Sequence, residues 1–318
     1  SYGHPAIICG YDRILASDET PDIDVVVRFG RYPVSKRVAQ AIEMYRPVQI
    51  VVDVQESRDF NSQTTTFIAA DPLDFVAAML EVVSYNFEEI PDESQHLPVN
   101  IQKWGMLDRQ RTEHLLASGL YEDDSFEGSY VAALLDEIPS ESLLFSANSM
   151  AIRAVDAYYF TRGKRMVVLA NRGLNGIDGT VSSALGAAQE YKQTVLLTGD
   201  LTLLHDLNAL ALQGEMILRE KDGSHRPSIL IVLLNNQGGA IFDMLPQQSD
   251  DPYFERLFLT PQQVDFCQAA QAFGVNAVRV QSVEEFRSAV QNVWGVPGIS
   301  LIEIPCPLCG VKERYGKY

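Results

Sequence analysis

Apolar runs long enough to cross a membrane are missing from this sequence. No uninterrupted apolar stretch in its 318 residues approaches the roughly 20 residues that a transmembrane helix needs, so we expect no membrane insertion. No signal peptide is visible either, and the chain starts at Ser1 without a methionine. We therefore expect a fragment or a processed protein.

Basic residues and cysteines are scarce, and each shortage argues against a class of function. The 25 Lys and Arg face 42 Asp and Glu, and the net charge of −17 disfavours nucleic acid and anionic membranes as partners. Of the four cysteines, only Cys306 and Cys309 form a CxxC pair. A structural zinc site needs four ligands, and no second Cys or His pair has matching spacing. We expect reduced thiols and a cytoplasmic location.

Strands and helices alternate in two parts of the chain. Residues 1–85 predict a partial βαβ domain, residues 86–127 a polar connector with one helix near 104–118, and residues 128–318 a larger domain. The predicted strands are 24–30, 48–54, 65–69, 143–145, 166–170, 195–198, 229–235, 278–280 and 299–304. We therefore predict an α/β protein of two domains with parallel sheets flanked by helices, the second domain doubly wound.

Two of these apolar strands end in turns that carry oxygen ligands. One ends at Gly199-Asp200 and the other, about 35 residues later, at Asn235-Asn236. Ligands of open α/β sheets bind at the carboxyl ends of the strands. A carboxylate, an amide oxygen and a backbone carbonyl suit Mg²⁺, with a diphosphate supplying further oxygens. The pair predicts a site for a metal-bound diphosphate; two ordinary βα turns are the alternative.

A glycine-rich loop lies between a predicted strand and a predicted helix. Residues 171–179 read Asn-Arg-Gly-Leu-Asn-Gly-Ile-Asp-Gly, with three glycines within seven residues. Glycines let the backbone approach a ligand closely, and the start of the following helix favours an anion. Glycine content alone is weak evidence, so the loop becomes informative only as a complete string.

That string resembles a loop of one family of thiamine-diphosphate enzymes, the 2-succinyl-5-enolpyruvyl-6-hydroxy-3-cyclohexene-1-carboxylate synthases of menaquinone and phylloquinone biosynthesis. The family's Asn-Ser-x-x-x-Arg turn, its Gly-Asp-Leu turn and its post-strand loop are matched in the same order. The matching segments are 148–153, 171–179, 199–202 with 205–208, and 236–242 with 254–258, and residues 31–37 look like a loop of the middle domain. The tail from Cys306 to Tyr318 departs from the family pattern.

The resemblance implies a reaction and a missing part. The family decarboxylates 2-oxoglutarate and adds the resulting succinyl unit to isochorismate, using thiamine diphosphate and Mg²⁺, with Mn²⁺ as a substitute. Its N-terminal pyrimidine-binding domain carries the glutamate that activates the cofactor. This chain starts inside the middle domain, so we assign no catalytic residue in it. We expect the isolated chain to be inactive and the full-length protein to be a homo-oligomer. The alternatives are another thiamine-diphosphate 2-oxoacid decarboxylase or carboligase, and a non-catalytic cofactor half-site.

The resemblance also assigns roles to individual residues. The expected metal ligands are Asp200, Asn236 and the Gly238 carbonyl. The expected substrate-binding residues are Arg153, Arg172, Lys36, Arg37 and Ser149. The expected cofactor-binding residues are Ile177, Leu201, Thr202, Ile241, Phe242 and Leu245. Ile177 would support the bent cofactor, and the last three would form an apolar wall beside its thiazolium ring. His205 and His225 are expected to be structural or on the surface.

Overall fold

Two sheets of parallel strands organise the part of the chain that the computed structural model describes. That part comprises residues 4, 6–55, 59, 61–86, 97–160, 164–191, 193–218, 227–246 and 253–318. Within it, residues 4–113 and residues 114–318 form two compact units, each described by itself. Parallel sheets flanked by helices confirm the predicted α/β class. The division at residue 114 falls inside the predicted connector, and the predicted domain boundaries stay predictions.

The unit of residues 4–113 contains a parallel sheet in the order β1-β2-β3. Its strands are β1 (Val25–Phe29), β2 (Val48–Val52) and β3 (Thr66–Ile68), and its helices are α1 (Tyr11–Leu15), α2 (Lys36–Tyr45) and α3 (Pro72–Asn86). Side-chain caps fix where two helices begin. The Ser35 hydroxyl accepts from the Arg37 amide at 3.1 Å, and the Asp71 carboxylate accepts from the Leu73 amide at 2.8 Å.

The helix predicted near 104–118 is longer than expected. Helix α4 spans Val99–Ala117, because the carbonyl of Pro98 accepts the Gln102 amide at 3.0 Å and starts the helix directly after the proline. Among the described helices, none combines the length and the low polarity that crossing a bilayer would demand.

The unit of residues 114–318 is built on a six-stranded sheet in the order β5-β4-β6-β7-β9-β8. The strands are β4 (Leu143–Ser146), β5 (Val167–Leu169), β6 (Thr194–Gly199), β7 (Ser228–Asn235), β8 (Asn276–Arg279) and β9 (Gly298–Pro305). The helices are α5 (Glu127–Glu137), α6 (Met150–Tyr158), α7 (Thr180–Ala187), α8 (Asp200–His205), α9 (Gln213–Leu218), α10 (Phe266–Ala272), α11 (Val283–Val293) and α12 (Val311–Lys317). All the paired strands run parallel.

Helices cover both faces of this sheet, so its central strands are buried on both sides. Every residue of β7 is buried, and alternate residues enter different core clusters. Leu230 and Val232 belong to one cluster, whereas Ile229 and Ile231 belong to the other. The near-continuous apolar character of such strands follows from this double burial, as expected for a doubly wound sheet.

The order of the strands places a crevice where the chain changes direction. After β4 the chain adds β5 on one side, and then returns to add β6 on the other side of β4. Such a switch point opens a crevice at the carboxyl ends of the strands, where open α/β sheets bind their ligands. The loops that follow β4, β5, β6 and β7 all begin at this edge.

Candidate functional site

A cavity lies at the carboxyl edge of the sheet in the unit of residues 114–318. Its lining comes from the loops after β4, β5, β6 and β7, and from the first residue of α5. Nine of the residues proposed from the sequence line it: Ser149, Ile177, Asp200, Leu201, Thr202, Asn236, Gly238, Ile241 and Phe242. The fold therefore brings together residues that are up to 93 positions apart in the sequence.

The carboxylate of Asp200 is buried in the wall of this cavity. Asp200 is 2% exposed, and its Oδ1 accepts the Leu201 amide at 2.8 Å. Its Oδ2 is buried without a hydrogen-bond partner. Burial raises the pKa of Asp200 to about 6, although the backbone amides of Leu201, Gly238 and Gln237 act to lower it. A buried oxygen of this kind fits a cation ligand, because a cation would supply the missing partner.

The turn after β7 approaches that carboxylate closely. Asn236 Oδ1 accepts the Gly238 amide at 3.2 Å, and Gln237 has a left-handed backbone with φ of 60°. A Cβ atom at Gly238 would lie 2.4 Å from the Leu259 carbonyl oxygen, so only glycine fits at this position without a shift of the backbone. The Gly238 amide lies close to Asp200, and Asn236 lines the same cavity, so amide and carboxylate groups of the kind that supply oxygen ligands to Mg²⁺ share this place.

Side chains alone would not hold a metal ion at this place. Within the described ranges, no group of three or more His, Cys, Asp and Glu residues is placed to bind one. A cation at Asp200 would thus need the amide of Asn236, backbone oxygens and oxygens of a ligand. Cys306 and Cys309 are free thiols.

Asn148 organises the glycine-rich loop, although sequence analysis assigned it no role. It is 3% exposed, and its Nδ2 donates to the carbonyls of Asn171 at 2.9 Å and Gly176 at 2.5 Å. Its Oδ1 accepts from Arg172 Nη1 at 2.6 Å. This one amide therefore ties the start of the loop to its middle, directly before Ile177, which lines the cavity. Its position directly after a buried strand was the available signal.

The two arginines of the predicted substrate site lie beside the cavity rather than in its lining. Arg172 binds Asn148, and Arg153 Nη1 donates to the Ser149 carbonyl at 2.6 Å, so each contacts a residue that lines the cavity. Burial, and then the positive charge of Arg172, lower the pKa of Arg153. The two guanidinium groups are thus close enough to repel each other, and an anion between them would relieve that repulsion.

The backbone at Ser149 is strained. Ser149 has φ of 65° and ψ of −131° at the start of α6, a conformation that non-glycine residues rarely adopt. Such strain costs about 1–3 kcal/mol and tends to occur where function requires a particular placement. No sequence pattern indicated it.

The remaining predicted residues are placed in different ways. Phe242 is 38% exposed and packs edge-to-face on Phe258, with ring centroids 5.9 Å apart. Leu245 does not line the cavity. Lys36 and Arg37 belong to the other unit, where Arg37 forms an ion pair with Asp12, and their proposed role stays a prediction. The exposed side chain of His205 ends α8, whereas His225 lies outside the described residues.

Glu127 and the C-terminal helix were missed by the sequence analysis. Glu127 lines the cavity, and its Oε1 accepts a hydrogen bond of 2.6 Å from the hydroxyl of Tyr315 in α12. Burial raises the pKa of Glu127 above its ordinary value. The backbone amide of Val311 donates to Asp243 at 2.9 Å, which fixes the start of α12. The tail for which the sequence suggested no role therefore packs against a wall of the cavity.

Comparison with known proteins agrees with this geometry. Residues 149–304 match the family described as thiamine pyrophosphate enzyme, C-terminal TPP binding domain. Curated relatives are named 2-succinyl-5-enolpyruvyl-6-hydroxy-3-cyclohexene-1-carboxylate synthase. The synthase of Oceanobacillus iheyensis is 36% identical to this chain, over 94% of the chain and 49% of the relative. The synthase of Desulfitobacterium hafniense is 37% identical, over 99% of this chain and 54% of the relative. The synthase of Bacillus cytotoxicus is 35% identical, over 96% of this chain and 50% of the relative.

Two predictions from the sequence are confirmed by these comparisons. The chain is similar along nearly its whole length to the synthases that its motifs resembled, and residues 149–304 match a domain that binds the predicted cofactor, thiamine diphosphate. The chain spans about half the length of the curated relatives it matches. The roles of the individual site residues stay predictions.

Proposed function

We propose that this chain, whose residues 149–304 belong to the thiamine-diphosphate-binding domains, supplies the diphosphate half of the active site of a 2-succinyl-5-enolpyruvyl-6-hydroxy-3-cyclohexene-1-carboxylate synthase. The whole protein would decarboxylate 2-oxoglutarate and add the succinyl unit to isochorismate in menaquinone or phylloquinone biosynthesis, as a transferase of the cytoplasm. Thiamine diphosphate supplies the electron sink for this chemistry when bound.

One observation carries the cofactor part of this proposal. The Asp200 Oδ2 is buried and without a hydrogen-bond partner beside the turn of Asn236 and Gly238. Asp200, Asn236 and the Gly238 carbonyl would hold Mg²⁺, or Mn²⁺ in its place, since both are hard cations that accept oxygen ligands. The backbone at Leu201 and the hydroxyl of Thr202, both at the cavity, would contact the diphosphate oxygens.

The substrates are dicarboxylates, which an otherwise acidic protein must attract with local positive charge. Arg153 and Arg172 would bind substrate carboxylates, because their guanidinium groups are close together and next to the cavity. The substrate role of Lys36 and Arg37 is proposed from the motif resemblance alone. Ile177, Ile241 and Phe242 would hold the cofactor against an apolar surface that excludes water.

Catalysis would also need groups from outside these 318 residues. The relatives are about twice as long, and we propose that their remaining half supplies the pyrimidine site and the activating glutamate, paired across a homo-oligomer. The chain alone should then turn over 2-oxoglutarate at least about 10²–10⁴-fold more slowly than the whole protein, because this is the usual contribution of general acid–base catalysis.

Calorimetry tests the cofactor proposal. The chain should bind thiamine diphosphate in the presence of Mg²⁺ and much more weakly in EDTA. Asp200→Ala should abolish the Mg²⁺ dependence. Asp243→Asn is the matched control, because Asp243 is equally buried and its amide replacement still accepts the Val311 amide. Binding by Asp200→Ala equal to that of the wild type would refute the proposed ligand.

A further inference from the structure

A buried carboxylate stands at the end of β9, next to the turn that follows β7. Glu303 is 1% exposed and lies between Ile302 and Ile304, which are fully buried. Its Oε1 accepts from Asn235 Nδ2 at 2.7 Å, and its Oε2 accepts from Arg279 Nε at 3.1 Å. An ionised carboxylate at such a depth is costly unless it is paired and hydrogen-bonded, and here both oxygens have partners.

A third donor contacts the same carboxylate. The Cys267 thiol lies 3.1 Å from Glu303 Oε2. Burial, and then the hydrogen bond to Glu303, raise the pKa of Cys267 to about 12, so the thiol stays protonated and donates. Glu303 is therefore the acceptor at the centre of a cluster formed by Asn235, Cys267 and Arg279.

Asn235 connects this cluster to the proposed metal turn. Its Nδ2 is bound by Glu303, and its Oδ1 accepts the backbone amide of Gln237 at 3.0 Å. Only one orientation of the Asn235 amide satisfies both contacts, because a flip would turn its oxygen toward the carboxylate. The carbonyl of Asn235 also accepts the Cys306 amide at 2.7 Å. The side-chain amide and the carbonyl of Asn235, at the end of β7, are therefore all held by hydrogen bonds.

Gln237 is the residue between the two proposed ligands of the turn. Its backbone is held in the left-handed region, and its amide lies close enough to Asp200 to lower the pKa of that carboxyl. If the Asn235 side chain were free to rotate, the Gln237 amide would lose its hydrogen bond to Asn235 Oδ1. The turn that presents Asn236 and Gly238 would then lose a constraint beside the cation position.

We propose that Glu303 is a positioning residue, which fixes the Asn235 side chain and through it the turn that offers Asn236 and Gly238 to a divalent cation. The inference rests on the proposed function. Residues that orient metal ligands in this way typically change metal affinity by about 10–100-fold when replaced.

Binding of Mn²⁺ to the chain in the presence of thiamine diphosphate, followed by the EPR signal of free Mn²⁺, tests this role. Glu303→Ala should weaken binding by about 10–100-fold. Glu303→Gln should retain most of the affinity, because an amide oxygen can still accept from Asn235. Asp265→Asn is the matched control. Arg279 Nη2 donates to Asp265 Oδ1 at 3.1 Å, so this variant removes a carboxylate charge that also pairs with Arg279. It leaves the hydrogen bond between Asn235 and Glu303 intact. Its affinity should equal that of the wild type.

A double-mutant cycle separates positioning from general support of the fold. In an Asn236→Ala background, Glu303→Ala should cause a smaller loss than in the wild type, because one of the two ligands that it positions is already gone. Fully additive losses would overturn the proposal, as would wild-type affinity in folded Glu303→Ala. Should Glu303→Ala fail to fold, Asn235→Ala replaces it and should show the same loss; unchanged affinity there also overturns the proposal. A failure of the proposed function looks different, since the wild-type chain would then bind no Mn²⁺ with thiamine diphosphate.

Discussion

Replacing Gly238 by alanine tests how tightly the proposed metal turn is packed. The added Cβ would lie 2.4 Å from the Leu259 carbonyl oxygen and 3.1 Å from Leu308 Cδ1. To reach even 3.0 Å, the first distance must grow by 0.6 Å (3.0 minus 2.4). The obstacle is a backbone carbonyl that also accepts the Gly239 amide at 2.6 Å, so moving the carbonyl away from Gly238 disturbs that hydrogen bond.

The cost follows from this geometry. Overpacking of a closely packed site costs about 1–3 kcal/mol. Each kcal/mol lowers the melting temperature of a domain of about 150–250 residues by about 2–4 °C. Gly238→Ala should therefore lower the melting temperature by about 2–12 °C and weaken Mg²⁺-dependent binding of thiamine diphosphate.

Thermal unfolding followed by circular dichroism, with calorimetry of cofactor binding, measures both effects. Gly186→Ala is the control, because nothing lies within 4 Å of the Cβ that it would add inside α7. Alanine there should be neutral or should stabilise the chain by about 0.5–1 kcal/mol. If Gly238→Ala matched this control in both stability and binding, the described packing of the turn would be wrong.

Three further predictions concern the cavity. Because burial raises the pKa of Asp200 to about 6, Mg²⁺ binding should weaken as the pH falls through 6. In Asp200→Asn, Mg²⁺ binding measured by calorimetry should depend less on pH. Asn148→Ala should leave the carbonyls of the glycine-rich loop without donors, lower the stability by about 1–3 kcal/mol and increase hydrogen exchange around Ile177; unchanged exchange would contradict its role. Tyr315→Phe should increase proteolysis of α12, because the Tyr315 hydroxyl that donates to Glu127 is lost. Equal cleavage rates in the variant and the wild type would refute this contact.

The sequence was most informative where local signals coincide with the fold. Helix α11 spans Val283–Val293 and begins at a cap that the sequence displays, because the Ser282 hydroxyl accepts the Glu285 amide at 3.1 Å. Strands β6 and β7 were recognisable because burial on both faces makes their sequences continuously apolar. Asp200 and Asn236 could be assigned to one site because neighbouring parallel strands end at the same edge.

What the sequence could not show depends on contacts between distant residues. Glu127 and Tyr315 are 188 positions apart, and Asn235 and Glu303 are 68 apart, so no local pattern links either pair. The strained backbone of Ser149 is likewise imposed by its surroundings. Motif strings identified the loops of the site, whereas the side chains that hold those loops in place required the three-dimensional structure.

The central claim is that Asp200, Asn236 and Gly238 hold the divalent cation of a bound thiamine diphosphate. The most direct test is the anomalous scattering of Mn²⁺ in crystals of the chain grown with the cofactor. One anomalous peak is expected at coordination distance from Asp200 Oδ2, the Asn236 side-chain oxygen and the Gly238 carbonyl, next to the bound diphosphate. Bound cofactor with no peak at these oxygens, or with the peak elsewhere, would contradict it.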